Sequence, residues 1–285
     1  MKKIEIKSYA KVNLLLNVLS RCEDGYHNIE SIMQSISLAD KVTISKRLHG
    51  INIDCNHQLV PTGFESLAYR TAEKIINECH LKKGIDIKIN KEIPLSSGLA
   101  GGSTNAATIL TGINKLYHLG LTSEKLREIG GELGMDIPFF VQNGTALAYH
   151  KGEKVAHFES LVPPLWLVIL NPEFEVSTRW AYQNMNIKKN NIKADRINKM
   201  ITALKKGTPE EIAKNLYNSF EKLVIEKFPE IAKIKKTLIE AGALGALMSG
   251  SGPTVFGITK NKDAAFKIAD SIKSNYHFIR VVQTI

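Results

Sequence analysis

The run Pro94-Leu-Ser-Ser-Gly-Leu-Ala-Gly-Gly-Ser-Thr-Asn-Ala-Ala107 constrains the fold more than any other segment, because glycines and hydroxyl residues lead directly into a helical pattern. Gly98, Gly101 and Gly102 can take backbone angles closed to other residues and let main-chain N–H groups approach an anion. Ser103 and Thr104 add hydroxyls. From Thr104 onward, Ala106, Ile109, Leu110, Ile113, Leu116 and Tyr117 keep to one helical face, so the unpaired N–H groups of the first turn point back at the loop. Those donors and the positive end of the helix dipole favour a phosphate there. The spacing 98, 101, 102, with no lysine after the glycines, fits neither G-x-x-x-x-G-K-[ST] nor G-x-G-x-x-G. Taken alone, the segment is also readable as a flexible glycine turn before an ordinary helix.

At 285 residues and 44% hydrophobic content, the chain can bury a substantial core in one large or two modest lobes. No run of about 18 apolar residues spans a bilayer, and Met-Lys-Lys-Ile-Glu-Ile-Lys at the N-terminus does not open a signal peptide, so a soluble, cytoplasmic protein is expected. Cys22, Cys55 and Cys79 are scattered, without a C-x-x-C pair, and suggest neither disulfides nor zinc. The net charge of +10, from 38 basic and 28 acidic residues, invites a nucleic-acid reading. Much of the excess, however, lies in Lys188 to Lys206 and Lys222 to Lys236, spaced between Ile197, Ile201, Leu204, Leu223, Ile231 and Ile234 as on solvated faces of amphipathic helices. No compact basic stripe interleaved with aromatics is present, as single-strand binding would favour. A basic surface also steers phosphate-bearing small molecules. The expected partner is therefore a small-molecule substrate, with no nucleic acid and no membrane, on a monomer or weak homodimer.

Pattern predicts strands over 3–9, 12–19, 31–37, 41–47, Ile51 to Asp54 and 85–89, and a helix over 64–79 with Phe64, Leu67, Ala68, Thr71, Ala72, Ile75, Ile76 and Cys79 on one face. A helix over Leu126 to Leu133, a strand over Thr145 to Tyr149 and a turn at Lys151-Gly152-Glu153 follow. An apolar strand over Leu165 to Leu170 stops at Asn171-Pro172, with a hinge near Asn171 to Val176. Helices over 209–226, 229–241 and 262–274 then alternate with strands over 244–248, 254–259 and 277–283, which predicts a helix-covered sheet.

Phosphoryl chemistry needs a group to take a hydroxyl proton and a cation to steady the charge in flight. Asp136, in Gly134-Met-Asp-Ile-Pro-Phe-Phe140, is the candidate for the first role, since flanking apolar residues would place it in a partly dry pocket; an exposed loop aspartate is the alternative. Lys11 lies in the apolar strand before Val12-Asn13-Leu14-Leu15-Leu16, where a solvent-facing lysine is the default. Asp24-Gly25 reads as a turn, and Tyr26 and His27 after it offer a flat face and a polar edge to a base, or else serve the fold.

Taken together these segments resemble the GHMP kinase superfamily. Pro94, Gly98, Leu99, Gly101, Gly102, Ser103, Thr104, Ala106 and Ala107 match its P-x-x-x-G-L-x-G-G-S-[ST]-x-A-A loop. Ala10-Lys-Val-Asn-Leu-Leu-Leu-Asn-Val, Asp24-Gly-Tyr-His-Asn and Met248-Ser-Gly-Ser-Gly-Pro-Thr-Val-Phe256 match further motifs in the same order. Ala100 stands where the commoner loop has glycine, and Thr104 where it has serine. The resemblance implies an α+β, two-lobed fold: an N-terminal ATP-binding lobe like ribosomal protein S5 domain 2 over 1–172, a ferredoxin-like lobe over 173–285, and an active site in the cleft between them. It implies ATP on Pro94, Leu95, Ser96, Ser97, Gly98, Leu99, Ala100, Gly101, Gly102, Ser103 and Thr104. Phosphoryl transfer from ATP also calls for Mg²⁺, to which Ser103 or Thr104 could supply a ligand, and no acidic pair marks a dedicated site. It implies Asp136 as base, with Lys11 contacting it and the acceptor hydroxyl. Within the family, A-K-V-N-L with D-G-Y-H, and G-x-D-I-P-F-F with S-G-S-G-P-T-V-F, are similar to the branch that phosphorylates the 2-hydroxyl of a cytidine-diphosphate sugar alcohol in the non-mevalonate route to isoprenoids. That branch implies Asn13, Tyr26 and His27 in the acceptor pocket, Tyr26 stacking on the cytosine and His27 hydrogen-bonding its edge, with Thr178 nearby and Tyr182, or its rival Trp180, on the opposite stacking face. A homoserine or mevalonate type of kinase would explain the loop but not Tyr26 and His27. A non-catalytic RNA-binding protein would explain the charge but not Asp136.

Overall fold

A computed structural model describes residues 2–158, 164–187 and 195–285; the lysines expected on a helix from 188 to 194 lie outside these. Contacts divide the chain into two compact units, Met1–Ala10, Leu38–Ile93 and Ala100–Asn143 in the first, and Lys11–Ser37, Pro94–Leu99 and Gly144–Ile285 in the second. Two long strands, β1 (Lys3–Arg21) and β2 (His27–Arg47), contribute one end to each unit.

Sequence pattern gave each of these strands as two, leaving Ala10-Lys11 and Leu38 to Asp40 between them. Both charges are buried and partnered, so the ladders run through. Lys11 is 4% exposed and donates from Nζ to Asn13 and to the Gly98 carbonyl, whereas Asp40 is fully buried and accepts from three donors.

In the first unit β3 (Ile51–Cys55) pairs in parallel with β4 (Gly84–Asn90), which pairs antiparallel with the C-terminal half of β2, Val42 against Ile89 and Ile44 against Ile87. Alternating Ile85, Ile87 and Ile89 supply the buried face. Helix α1 (Leu67–Glu78) begins later than the apolar pattern suggested, because Ser66 caps it through a bond from the Tyr69 N–H; Phe64 stays outside and exposed. Helix α2 (Gly101–Tyr117) packs on α1, on α3 (Ser123–Gly131) and on the single turn α4 (Ile137–Phe140). It starts three residues before the predicted Thr104, and residues 104 to 110 are buried in succession, making it a core helix more than an amphipathic one.

In the second unit, β5 (Thr145–His150) pairs with the N-terminal half of β2 and, beyond the predicted turn, with β6 (Lys154–His157), whose short polar sequence gave no strand signal. Strands β7 (Trp166–Asn171), β9 (Gly245–Met248), β10 (Val255–Thr259) and β11 (Phe278–Gln283) form an antiparallel sheet in the order β11-β7-β10-β9. With helices between β7 and β9 and between β10 and β11, this is the split β-α-β arrangement of ferredoxin-like folds. Helices α9 (Glu230–Glu240) and α10 (Lys262–Ile272) cover it, placing Ile231, Ile234, Leu238, Ala265 and Ile268 against Val168, Leu170 and Val255.

Between β7 and β9 the chain forms α5 (Thr178–Asn184), for which no helix was expected, and α6 (Arg196–Lys206), whose Ile197, Met200, Ala203 and Leu204 are buried under exposed lysines as the charge pattern implied. The helix predicted over 209–226 is two, α7 (Pro209–Lys214) and α8 (Glu221–Lys227), separated by the two-residue strand β8 (Tyr217–Asn218). β8 adds in parallel to Leu15 and Leu16 of β1, a pairing no local pattern encodes.

Asn218 explains the interruption. Buried to 5% exposure, it donates from Nδ2 to the carbonyls of Met248 and Gly250, each at 2.7 Å, and accepts from the Phe220 N–H at 2.9 Å. Asn218→Ala strands three buried backbone groups; at about 1 kcal/mol each, urea unfolding of the variant is expected to show a loss of about 3 kcal/mol.

Candidate active site

The glycine-rich loop leaves the first unit at Ile93 and re-enters it at Ala100. Its backbone is left-handed at Ser96 (φ 47°), Gly98 (φ 76°) and Ala100 (φ 58°). Ala100 occupies the N-cap of α2 and gives it no side-chain cap, so the N–H groups of the first turn take no bond from the cap side chain; the ladder begins with Thr104 N–H to the Ala100 carbonyl at 3.0 Å. An alanine in that conformation carries about 1 kcal/mol of strain that glycine would not. Gly102 is exposed and Ser103 half-buried. Thr104 is 1% exposed, its hydroxyl accepting from Ser8 at 3.1 Å, whereas Ser103 is only half-buried.

In the second unit the loop's other half meets two distant segments at one atom. The Gly98 carbonyl accepts from Lys11 Nζ and from Ser249 Oγ, each at 3.0 Å, while Lys11 N–H bonds the Leu99 carbonyl and Thr254 N–H the Ser97 carbonyl. Ser97 closes the loop internally on the Pro94 carbonyl. A Cβ at Gly98 would lie 2.1 Å from the Ser249 carbonyl oxygen. Ser249, in the turn between β9 and β10, is a residue that sequence reasoning did not place in the site; the hydroxyls of Ser-Gly-Ser-Gly-Pro-Thr were the available signal. Asn13 is 4% exposed, accepting from Lys11 at 2.6 Å and donating to Ser31 at 2.8 Å, so its side chain fixes the ammonium.

The Asp24-Gly25 turn is present, with Gly25 at φ 86° and Asp24 accepting from the Tyr26 N–H at 3.1 Å. The Asp24 carboxyl is held below its ordinary range, first by its bond from Lys151 and then by that N–H. Tyr26 is half exposed beneath the Lys151 ammonium, whereas His27 is buried. Tyr182 on α5 lies against His27, ring centroids 5.0 Å apart and 31° tilted, and packs edge-on against Phe220. Trp180 instead meets Phe228 and Lys227. Thr178 is exposed and shares a 2.8 Å hydroxyl bond with Ser251.

Asp136, in the first unit, is half-buried at the N-cap of α4 and does not cap it through its side chain. Ile137, Pro138, Phe139 and Phe140 after it are buried, and Gly130 and Gly134 give Ile137 its space. Among the described residues no cluster of His, Cys, Asp and Glu could hold a metal ion, the cysteines are free, and no helix is long and apolar enough to cross a membrane.

The GHMP kinases N terminal domain model matches residues 66–144, which include the loop and Asp136, and the GHMP kinases C terminal model matches 200–277, which include Ser249. The chain belongs to the GHMP kinase family. It is 44% identical to the 4-diphosphocytidyl-2-C-methyl-D-erythritol kinase of Geobacter metallireducens, over 96% of each chain. It is 42% identical to the enzyme of the same name from Caldanaerobacter subterraneus, over 99% of this chain and 97% of that one. A crystal structure of 4-(cytidine 5'-diphospho)-2C-methyl-D-erythritol kinase superposes with a TM-score of 0.82 at 28% identity, over 99% of both chains. Kinship at that level and coverage makes this GHMP kinase an enzyme of the same kinase type, for which ATP is the implied donor.

Gly98→Ala forces a side chain into the Ser249 carbonyl at a strained backbone angle; nucleotide affinity, measured by titration calorimetry, is expected to fall at least about tenfold, or about 1.4 kcal/mol. Burial holds the His27 imidazole below its ordinary 6.5, with a smaller push from Arg21. The unfolded chain therefore binds that proton more readily. The stability His27 contributes is present above pH 6.5 and lost as pH falls through its folded value, and NMR titration is expected to give a midpoint below 6.5.

Proposed function

We propose that this GHMP kinase transfers the γ-phosphoryl group of ATP to the 2-hydroxyl of 4-diphosphocytidyl-2-C-methyl-D-erythritol, in the non-mevalonate route to isopentenyl diphosphate. The observation that carries the acceptor is the His27–Tyr182 pair beside the Asp24-to-His27 turn, in a chain whose relatives bear that substrate in their names. A polar imidazole edge next to an aromatic face suits cytosine, which presents hydrogen-bonding groups in its plane and a π-face above it. His27, kept neutral, offers one ring nitrogen as acceptor and one N–H as donor. In this reading Tyr26 stacks on the base and Tyr182 supplies the opposite face, because Tyr182 lies against His27 whereas Trp180 meets Phe228 and Lys227. Homoserine and mevalonate acceptors carry no base and would leave the pair without a role.

The phosphates of ATP rest on the N–H groups of Gly101 to Ser103 and on the Ser103 hydroxyl. Mg²⁺ bound with the nucleotide would neutralise charge on the phosphates, and Ser103 at the start of α2 is the residue of this chain that would help hold it. Asp136 takes the proton of the acceptor hydroxyl as the oxygen–phosphorus bond forms in line and the bond to ADP breaks. Lys11 steadies the alkoxide as it develops. Its ammonium is buried and aimed by Asn13 and the Gly98 carbonyl, which is electrostatic preorganisation. In this reading the two lobes divide at residue 172, between the N- and C-terminal family models at 66–144 and 200–277, whereas contacts group Lys11–Ser37, Pro94–Leu99 and Gly144 onward into one compact unit.

The test is ³¹P NMR of the protein with ATP, Mg²⁺ and the cytidylyl acceptor, with homoserine and mevalonate in parallel. A new phosphate monoester on the cytidylyl compound alone is the expected result. Asp136→Asn and Lys11→Met are each expected to lower kcat about 100-fold or more with the fold retained; a folded, fully active Asp136→Asn would overturn the base assignment.

A further inference from the structure

Asp40 is the one fully buried carboxylate in the first unit among the described residues, and none of the chemistry above uses it. It sits on β2, and its two oxygens divide their work. Oδ2 accepts from the ammonium of Lys91, whose side chain is 4% exposed, while Oδ1 accepts from the N–H groups of Glu92 at 2.7 Å and Ile93 at 2.9 Å. These are the last three residues before Pro94, where the glycine-rich loop begins. The Asn56 carboxamide holds Lys91 N–H from the other side at 2.7 Å.

The same lysine reaches the far end of the loop. A Cβ on Gly101, the first residue of α2, would lie 2.9 Å from Lys91 Nζ and 3.1 Å from the Ile93 side chain, so both lie close beside that glycine and leave no room for a side chain there. Asp40 thus holds the loop's entry through two backbone bonds, and through Lys91 it holds a side chain beside the glycine at the loop's exit. An ammonium beside a helix N-terminus opposes the dipole, and burial sharpens the conflict. The Asp40 carboxylate offsets both, which lets a rigid cation lie behind the N–H groups that face the phosphates.

We propose that Asp40 is a positioning residue for nucleotide binding, which with Lys91 staples the two ends of the glycine-rich loop and sets the direction of the first-turn N–H groups of α2. This rests on the loop being the ATP site. A carboxylate serving only the fold would change stability and leave affinity per folded molecule untouched.

The experiment measures binding of a non-hydrolysable ATP analogue by calorimetry, and KM for ATP and for the acceptor, in the wild type, Asp40→Asn, and the charge-balanced double variant Asp40→Asn/Lys91→Met. Unfolding midpoints are recorded for each. Expected is a rise of about tenfold or more in the analogue Kd and in the ATP KM, with acceptor KM within about twofold. Should Asp40→Asn fail to fold, the double variant, which leaves no unpaired charge, carries the same expectation. Wild-type nucleotide affinity in the folded variants, or equal weakening toward both substrates, overturns the proposal. Failure of the wild type to bind the analogue would instead overturn the nucleotide-site reading on which it rests.

Discussion

The carbonyl oxygen of Gly98 is the atom on which the second unit's functional residues converge. It accepts from Lys11, 87 residues away, and from Ser249, 151 residues away, so one acceptor fixes a β1 side chain, the glycine-rich loop and the turn between β9 and β10. Only glycine can stand there, because its left-handed backbone brings Cα against the Ser249 carbonyl. Asn218 ties the same turn to β8 through the Met248 and Gly250 carbonyls, and β8 in turn pairs with β1. Lys11 and the turn are thereby referenced to one strand.

Buried charge is used consistently. Lys11 gains fixed acceptors in Asn13 and Gly98, and Asp40 gains Lys91 and two N–H groups. An unpaired ion at either position would cost several kcal/mol, on the order of what breaking a buried pair removes. Each pair lies where the chain enters or flanks the glycine-rich loop, so the polar network also limits how that loop can be arranged.

Local pattern revealed much of this molecule. Alternating Ile85, Ile87 and Ile89 gave β4, and the apolar run ending at Asn171 gave β7. Pattern failed where a partner from elsewhere decided the outcome. Lys11 and Asp40 fell in gaps between predicted strands, and their acceptors and donors let β1 and β2 run through. The 209–226 helix was split by Asn218, whose bonds lie 30 and 32 residues onward. β6 exists because β5 offers it a ladder, and α1 starts late because Ser66 caps it.

For the candidate site, sequence by itself determined the residue types and their order: the glycine spacing, Lys11, Asp136, the Asp24-to-His27 turn and the Ser-Gly-Ser-Gly-Pro turn. Those follow from covalent properties, such as glycine's missing Cβ and a carboxylate's charge, that a linear string displays. Tertiary structure decided what each group does with its neighbours. Tyr182, not Trp180, lies against His27; Thr104 turns its hydroxyl inward to Ser8 while Ser103 stays half-buried; and Asn13 faces Lys11. Hydrogen bonds and ring contacts act over a few ångströms of space, and no spacing along the chain encodes which distant atom will be there.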